Sequence, residues 1–186
     1  NCDHLDTSDD SVAMWSTMLI VSLIGLIWLI KSNDLISIFV TFELMSLPLI
    51  VMIMLNKSSA LSQTTTWRYL ILTTTGTTMW LLGLVLLYGL TGQINLDAIS
   101  IAIERGAFPL IASQYAPAWI LLIMFFISVG IVMKLGAVPL QRWVVDVFRH
   151  VPINSLIWLS TVPKVGIFAM AVKLLSVFTN YADITF

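Results

Sequence analysis

The chain has 186 residues; 59% are hydrophobic, only 10% are charged, and the net charge is −1, whereas a water-soluble domain carries about 25% charged residues. That balance excludes a soluble globular domain and leaves no electrostatic footprint for nucleic acid. A single cysteine, Cys2, and two histidines, His4 and His150, are too few for an internal disulfide or an iron–sulfur cluster. With no dinucleotide- or phosphate-binding glycine motif in the sequence, no cofactor is expected in this chain.

Residues 1–10, Asn-Cys-Asp-His-Leu-Asp-Thr-Ser-Asp-Asp, read as a polar, acidic tail. They lack the Arg-rich character of a mitochondrial presequence and the basic opening of a secretory signal. Insertion without a cleaved leader, or synthesis inside an organelle, is therefore expected. Residues 11–178 read as one transmembrane helical domain, because a span needs about 20 apolar residues and such runs recur along it. The first span is Ser11–Ile30, closed by the polar turn Lys31-Ser-Asn-Asp34. The second, Leu35–Leu55, contains Glu43 and Pro48, and a polar loop follows over residues 56–66. The third, Trp67–Leu90, is rich in threonine. Residues 91–97 then leave the membrane, and residues 98–116 mix apolar and polar character, which suits the interface.

The fourth span starts near Pro117. Running unbroken to Arg149 it would measure roughly 48 Å at 1.5 Å per residue, against a hydrocarbon core of about 30 Å. Gly136 and Pro139 lie inside it, and proline removes a helix hydrogen bond. The fourth helix is therefore expected to be discontinuous, broken around Leu135–Pro139. Leu140–Arg149, with Arg142, Asp146 and Arg149, should turn away from lipid. The fifth span covers residues 153–178, and residues 179–186 form a short tail. The fold class is all-α membrane, with about five transmembrane helices. Lys57, Arg68, Arg142 and Arg149 fall on one side, and Lys31, Arg105 and Lys173 on the other; the positive-inside rule leans towards the first as the matrix or cytoplasmic face.

Three charges lie within apolar spans: Glu43, Lys134 and Lys164. Each costs about 2.5–3.5 kcal/mol at the bilayer centre on insertion scales, and such residues normally face the protein interior, pair with one another and mark ion or proton paths. A Leu returns only about 0.3–0.6 kcal/mol, so three chance charges are a poor account of a chain this short. Each charge has a proline nearby: Pro48, Pro139 and Pro163. In a helix these prolines would free the carbonyls of Leu44, Leu135 and Leu159, and a freed carbonyl in a membrane needs water or a side-chain partner. A hydrated polar path at mid-membrane is expected, with Ser160 one turn before Lys164. Lys173 is near the end of its span and reads as snorkelling to the interface. The run Thr73-Thr-Thr-Gly-Thr-Thr78 reads as a close-packing face, and Trp119, Trp143 and Trp158 as interfacial anchors.

Four blocks then become familiar. Asp34-Leu-Ile-Ser-Ile-Phe-Val-Thr-Phe-Glu-Leu-Met-Ser-Leu47 resembles the glutamate helix of the antiporter-like subunits of respiratory complex I. Trp67-Arg-Tyr-Leu and Leu87-Tyr-Gly-Leu-Thr-Gly92 resemble the next helix and its exit loop. Lys134-Leu-Gly-Ala-Val-Pro-Leu-Gln-Arg-Trp-Val-Val-Asp-Val-Phe148 resembles the lysine-bearing broken helix, and Thr161-Val-Pro-Lys-Val-Gly166 the following lysine helix. The blocks come in the family's order over residues 12–175 and resemble most the subunit 2 branch of NADH:ubiquinone oxidoreductase.

The resemblance implies that Glu43 and Lys134 form a charged pair and that Lys164 is the central relay lysine. It further implies a proton-translocating membrane-arm subunit, with NADH, flavin, iron–sulfur clusters and ubiquinone handled elsewhere in the complex, in the mitochondrial inner membrane rather than a bacterial or chloroplast one. The pattern departs at Gln141, where the family usually has His, and at Arg149-His150, where it has Glu-Gly. No role in proton entry is carried over to those positions. The family's chains hold two inverted five-helix repeats and this one holds a single repeat. The partners expected are other complex I membrane-arm subunits, membrane lipids and a separate chain supplying the second half. Two other functions compete: a subunit of a multi-subunit cation/proton antiporter, marked by sodium-dependent transport, and a non-catalytic membrane scaffold, marked by full activity after all three charges are replaced.

Overall fold

The computed structural model describes residues 3–54, 60–106, 108, 115–137, 141, 144–145, 147, 149 and 153–184. Six helices appear among the described residues: α1 (Asp3–Lys31), α2 (Leu35–Met54), α3 (Ala60–Thr91), α4 (Leu96–Glu104), α5 (Ala116–Leu135) and α6 (Ile153–Ile184). Five are long and apolar enough to cross a membrane, over Ser11–Lys31, Leu35–Met54, Thr66–Thr91, Ala116–Leu135 and Ser155–Phe178. These coincide with the five expected spans. The polar segment before Ser11 continues α1 as a helical extension from Asp3, and α6 runs past Phe178 to Ile184.

Close approach between spans is set by glycine. A Cβ on Gly25 of α1 would sit 2.5 Å from the Met45 amide nitrogen of α2. A Cβ on Gly130 of α5 would sit 2.8 Å from the Gly76 carbonyl of α3, and one on Gly83 2.7 Å from Ile127 Cγ1. In lipid the hydrophobic effect does not pull helices together, so such backbone-to-backbone packing carries the association. Of the threonine run expected to be a close-packing face, Gly76 meets α5 and Thr77 is buried, whereas Thr74, Thr75 and Thr78 are exposed. The hydroxyls of Thr74, Thr75, Thr77 and Thr78 return to their own backbone carbonyls four residues earlier, at 2.8–3.0 Å.

On one face of the bundle the turn after α1 and the loop after α3 are stitched together. Asp34 and Asn95 form an isolated antiparallel bridge. The Leu35 amide donates to the Ile94 carbonyl at 3.0 Å, and the Leu96 amide donates to the Asn33 carbonyl at 2.9 Å. Asn33 Nδ2 donates to Asp97 Oδ2 at 2.6 Å. The two loops also start the next helices. Asp34 Oδ1 accepts from the Ser37 amide at 2.8 Å, and Asn95 Oδ1 from the Asp97 amide at 2.9 Å, satisfying amides that a helix start leaves unpaired. Of residues 98–116, expected at the interface, the first part lies in α4, which buries Leu96, Ile99 and Ile103 and exposes Asp97 and Glu104; residues 107 and 109–114 lie outside the described residues.

Buried side chains form two clusters. One runs through Leu35, Ile38, Phe42, Met45, Trp80, Ile123, Ile127 and Met170. The other gathers Leu49, Ile50, Met52, Ile53, Tyr69, Val147 and Leu159. Along α2 the first ends at Met45 and the second begins at Leu49. Trp158 packs against both, so it is a bundle-filling residue and not the lipid-interface anchor expected. Trp119 is 41% exposed, and Trp143 lies outside the described residues.

Candidate functional site

The junction between the two clusters holds the charges. Glu43 is the ninth residue of α2, about 13 Å along it. Lys134 is in the last turn of α5, where a cation meets the negative end of the helix dipole. The break expected around Leu135–Pro139 falls one residue later. Gly136 adopts a left-handed conformation (φ 67°), its amide donates to the Met133 carbonyl at 3.3 Å, and the Ala137 amide donates to the Val132 carbonyl at 3.2 Å. That bond pattern terminates a helix, and glycine enters it without steric penalty. The apolar fourth span thus ends at Leu135, one residue beyond Lys134. Pro139 lies outside the described residues.

Lys134 Nζ donates to Glu43 Oε1 at 3.1 Å, with side-chain exposures of 5% for the lysine and 22% for the glutamate. Nζ also approaches Ser46 Oγ at 3.4 Å and stands 3.9 Å from the centroid of the Phe42 ring. Phe42 packs in turn on Trp80, ring centroids 4.7 Å apart. A desolvated ammonium thus has a counter-ion, a hydroxyl and an aromatic face, which together offset the cost of removing it from water. Ser46 is three residues beyond Glu43 and shares its face, a spacing legible in the sequence. Phe42 carries no such signal; it enters the site because Trp80 of α3 holds its ring.

Lys164 is not brought to this pair. It is exposed on the outer face of α6 and makes no hydrogen bond or ion pair among the described residues. The inward orientation expected for an intramembrane charge is therefore met by Glu43 and Lys134 and not by Lys164, whose face no described helix covers. Ser160, one turn earlier, spends its hydroxyl on the Leu156 carbonyl at 2.7 Å. Two residues beyond Lys164 the helix is tight against α2, where a Cβ on Gly166 would run into Met45 Sδ. Lys173, expected to snorkel, has protein partners. Its Nζ donates to the carbonyls of Ile30 (2.6 Å) and Ser32, with Leu29 at 3.5 Å. Among the described residues no group of three or more His, Cys, Asp or Glu side chains is placed to hold a metal ion.

Comparison with known proteins adds three findings. A family model described as NADH:quinone oxidoreductase/Mrp antiporter, transmembrane, matches residues 32–186. The chain is 34% identical to NADH-quinone oxidoreductase subunit N 2 of Rhizobium meliloti over 88% of its own length and 32% of that protein's. It is 30% identical to NAD(P)H-quinone oxidoreductase subunit 2 of the Paulinella chromatophora chromatophore, over 92% and 32% of the two lengths. It thus spans about a third of the curated relatives it matches. Among solved structures, a chain of Thermus thermophilus respiratory complex I superposes with a TM-score of 0.66 at 19% identity, covering 86% of this chain and 34% of that one. A chain of an archaeal membrane-bound sulfane sulfur reductase superposes with a TM-score of 0.70 at 22% identity, covering 90% and 33%.

Proposed function

The chain belongs to the NADH:quinone oxidoreductase/Mrp antiporter transmembrane family, and from that membership we propose that it is a proton-translocating part of the respiratory complex I membrane arm. The observation that carries this reading is the Glu43–Lys134 pair, held at 3.1 Å in the last turn of α5, where the apolar helix ends at the left-handed Gly136. Discontinuous helices whose ends meet charge at mid-membrane are how transport folds build ion sites. In the reading, Glu43 holds Lys134, making or breaking the contact gates the lysine's proton, and the two titrate as a coupled set. Lys164 exchanges protons with Lys134 through water. Redox energy is supplied by NADH oxidation and quinone reduction on other chains, which hold the flavin and iron–sulfur clusters.

The exposed Lys164 completes the proposal. A bare lysine against lipid costs several kcal/mol, so its face is an interface with further membrane-embedded protein that carries its own ionisable residue. That protein is the second repeat, supplied by a separate chain or by sequence outside residues 1–186. The membrane of the proposal is the mitochondrial inner membrane; fractionation of the source cells tests that location.

The test of function is substitution in the assembled complex. Lys134→Met and Lys164→Met are each expected to lower protons pumped per electron more than twofold, with the amount of assembled complex changed less. Normal pumping stoichiometry in both assembled variants would overturn the reading. Sodium-dependent transport would replace it with cation/proton antiport.

A further inference from the structure

Helices α1 and α6 run parallel and are tied at both ends. Near the start of α6 and of the apolar span of α1 (Ser11–Lys31), Trp15 Nε1 donates to Ser155 Oγ at 3.1 Å. At the far end, Lys173 Nζ donates to the last carbonyls of α1 and its exit turn, Ile30 at 2.6 Å together with Ser32 and Leu29. Those carbonyls are the ones a helix terminus leaves unpaired, at the negative end of its dipole. Ser155 and Lys173 are 18 residues apart, about 27 Å along a helix, so the two ties lie near the two edges of a hydrocarbon core of about 30 Å. Lys164 stands midway, nine residues from each, beside Pro163 within the helix. The turn that Lys173 holds leads directly into α2, which carries Glu43.

We propose that Lys173 is a positioning residue: by clamping the α1 terminus, and opposing the Trp15–Ser155 tie at the other end, it fixes the depth of Lys164 relative to Glu43 and Lys134. With both ends held, α6 cannot slide along its axis, and Pro163, which interrupts the ladder of backbone bonds, leaves the middle free to bow sideways. A lysine that merely reaches for the interface would have no such effect, since its head would be served equally by water.

The inference rests on the relay role proposed for Lys164 only where proton pumping is read, so the test has two arms. In the structural arm, the intact complex is imaged with Lys173→Met, which keeps the stem and removes every donor. Lys164 is expected to move along the membrane normal relative to Glu43 by about 1.5 Å or more, the rise of one residue. Lys173→Arg, which still donates to carbonyls, is expected to leave it in place. An unchanged depth in the Met variant overturns the inference. Should that variant not assemble, Trp15→Phe removes the donor of the opposite tie alone and is read in the same way. In the functional arm, Lys173→Met is expected to lower protons pumped per electron at least twofold and Lys173→Arg to restore them; equal pumping in the two overturns the positioning role. A depth shift alongside normal pumping in Lys164→Met would instead sink the relay reading and leave the clamp standing.

Discussion

Lys134 is the most desolvated charge described in the bundle, and its partners are unequal. The carboxylate of Glu43 is a full counter-ion at 3.1 Å, whereas Ser46 Oγ at 3.4 Å is a long, neutral contact. Removing one member of a buried pair strands the other, at a cost of about 3–5 kcal/mol, while replacing both by apolar groups is often neutral. Stranding the 5%-exposed Lys134 costs more than stranding Glu43, which at 22% exposure still reaches polar surroundings, so Glu43→Leu should reduce the assembled complex severalfold, Lys134→Met less so, and Glu43→Leu combined with Lys134→Met should restore most of it, as native gels would read. A double variant as depleted as the single one would mean that the pair is not what holds the junction together. Ser46→Ala should cost about 1 kcal/mol at most, in line with one weak hydrogen bond.

Glycine decides which spans touch. Gly130 and Gly76 lie backbone to backbone at the α5–α3 crossing, whereas a Cβ on Gly89 of α3 would meet nothing within 4 Å. Gly130→Ala should cost about 1–3 kcal/mol through overpacking, visible as a lower melting temperature in detergent; Gly89→Ala should be neutral or slightly stabilising, since alanine favours a helix. The five spans were legible in the sequence because twenty-residue apolar runs leave no other solution in a bilayer. The break after Lys134 was legible from excess length together with Gly136. The Glu43–Lys134 pairing followed from the cost of stranded charge and from the family resemblance. The exposure of Lys164 against the burial of Lys134 was not legible at that level, because helix rotation is set by which neighbours pack, and the contact of Gly166 with Met45 is a tertiary fact. The partners of Lys173 were hidden for the same reason: these carbonyls belong to a helix some 140 residues earlier in the chain.

At the scale of the molecule, α6 has one face on α1, α2 and α4 and another, with Lys164 and Phe168, turned outward. These two residues are one turn apart on the same side. A photo-crosslinker at position 168, activated in native membranes, should capture protein with an ionisable residue at that depth; adducts to lipid alone would count against a covered Lys164. The stitched loops at residues 33–35 and 94–97 carry a consequence for biogenesis. The first hairpin, α1–α2, enters the bilayer with the amide of Leu35 and the carbonyl of Asn33 served only by water at the membrane surface. Their protein partners arrive only once α3 has crossed and delivered Ile94 and Leu96 to the same side. A third span threaded the wrong way would leave residues 92–97 on the opposite face and the bridge open, so the bridge closes only in the correctly threaded chain.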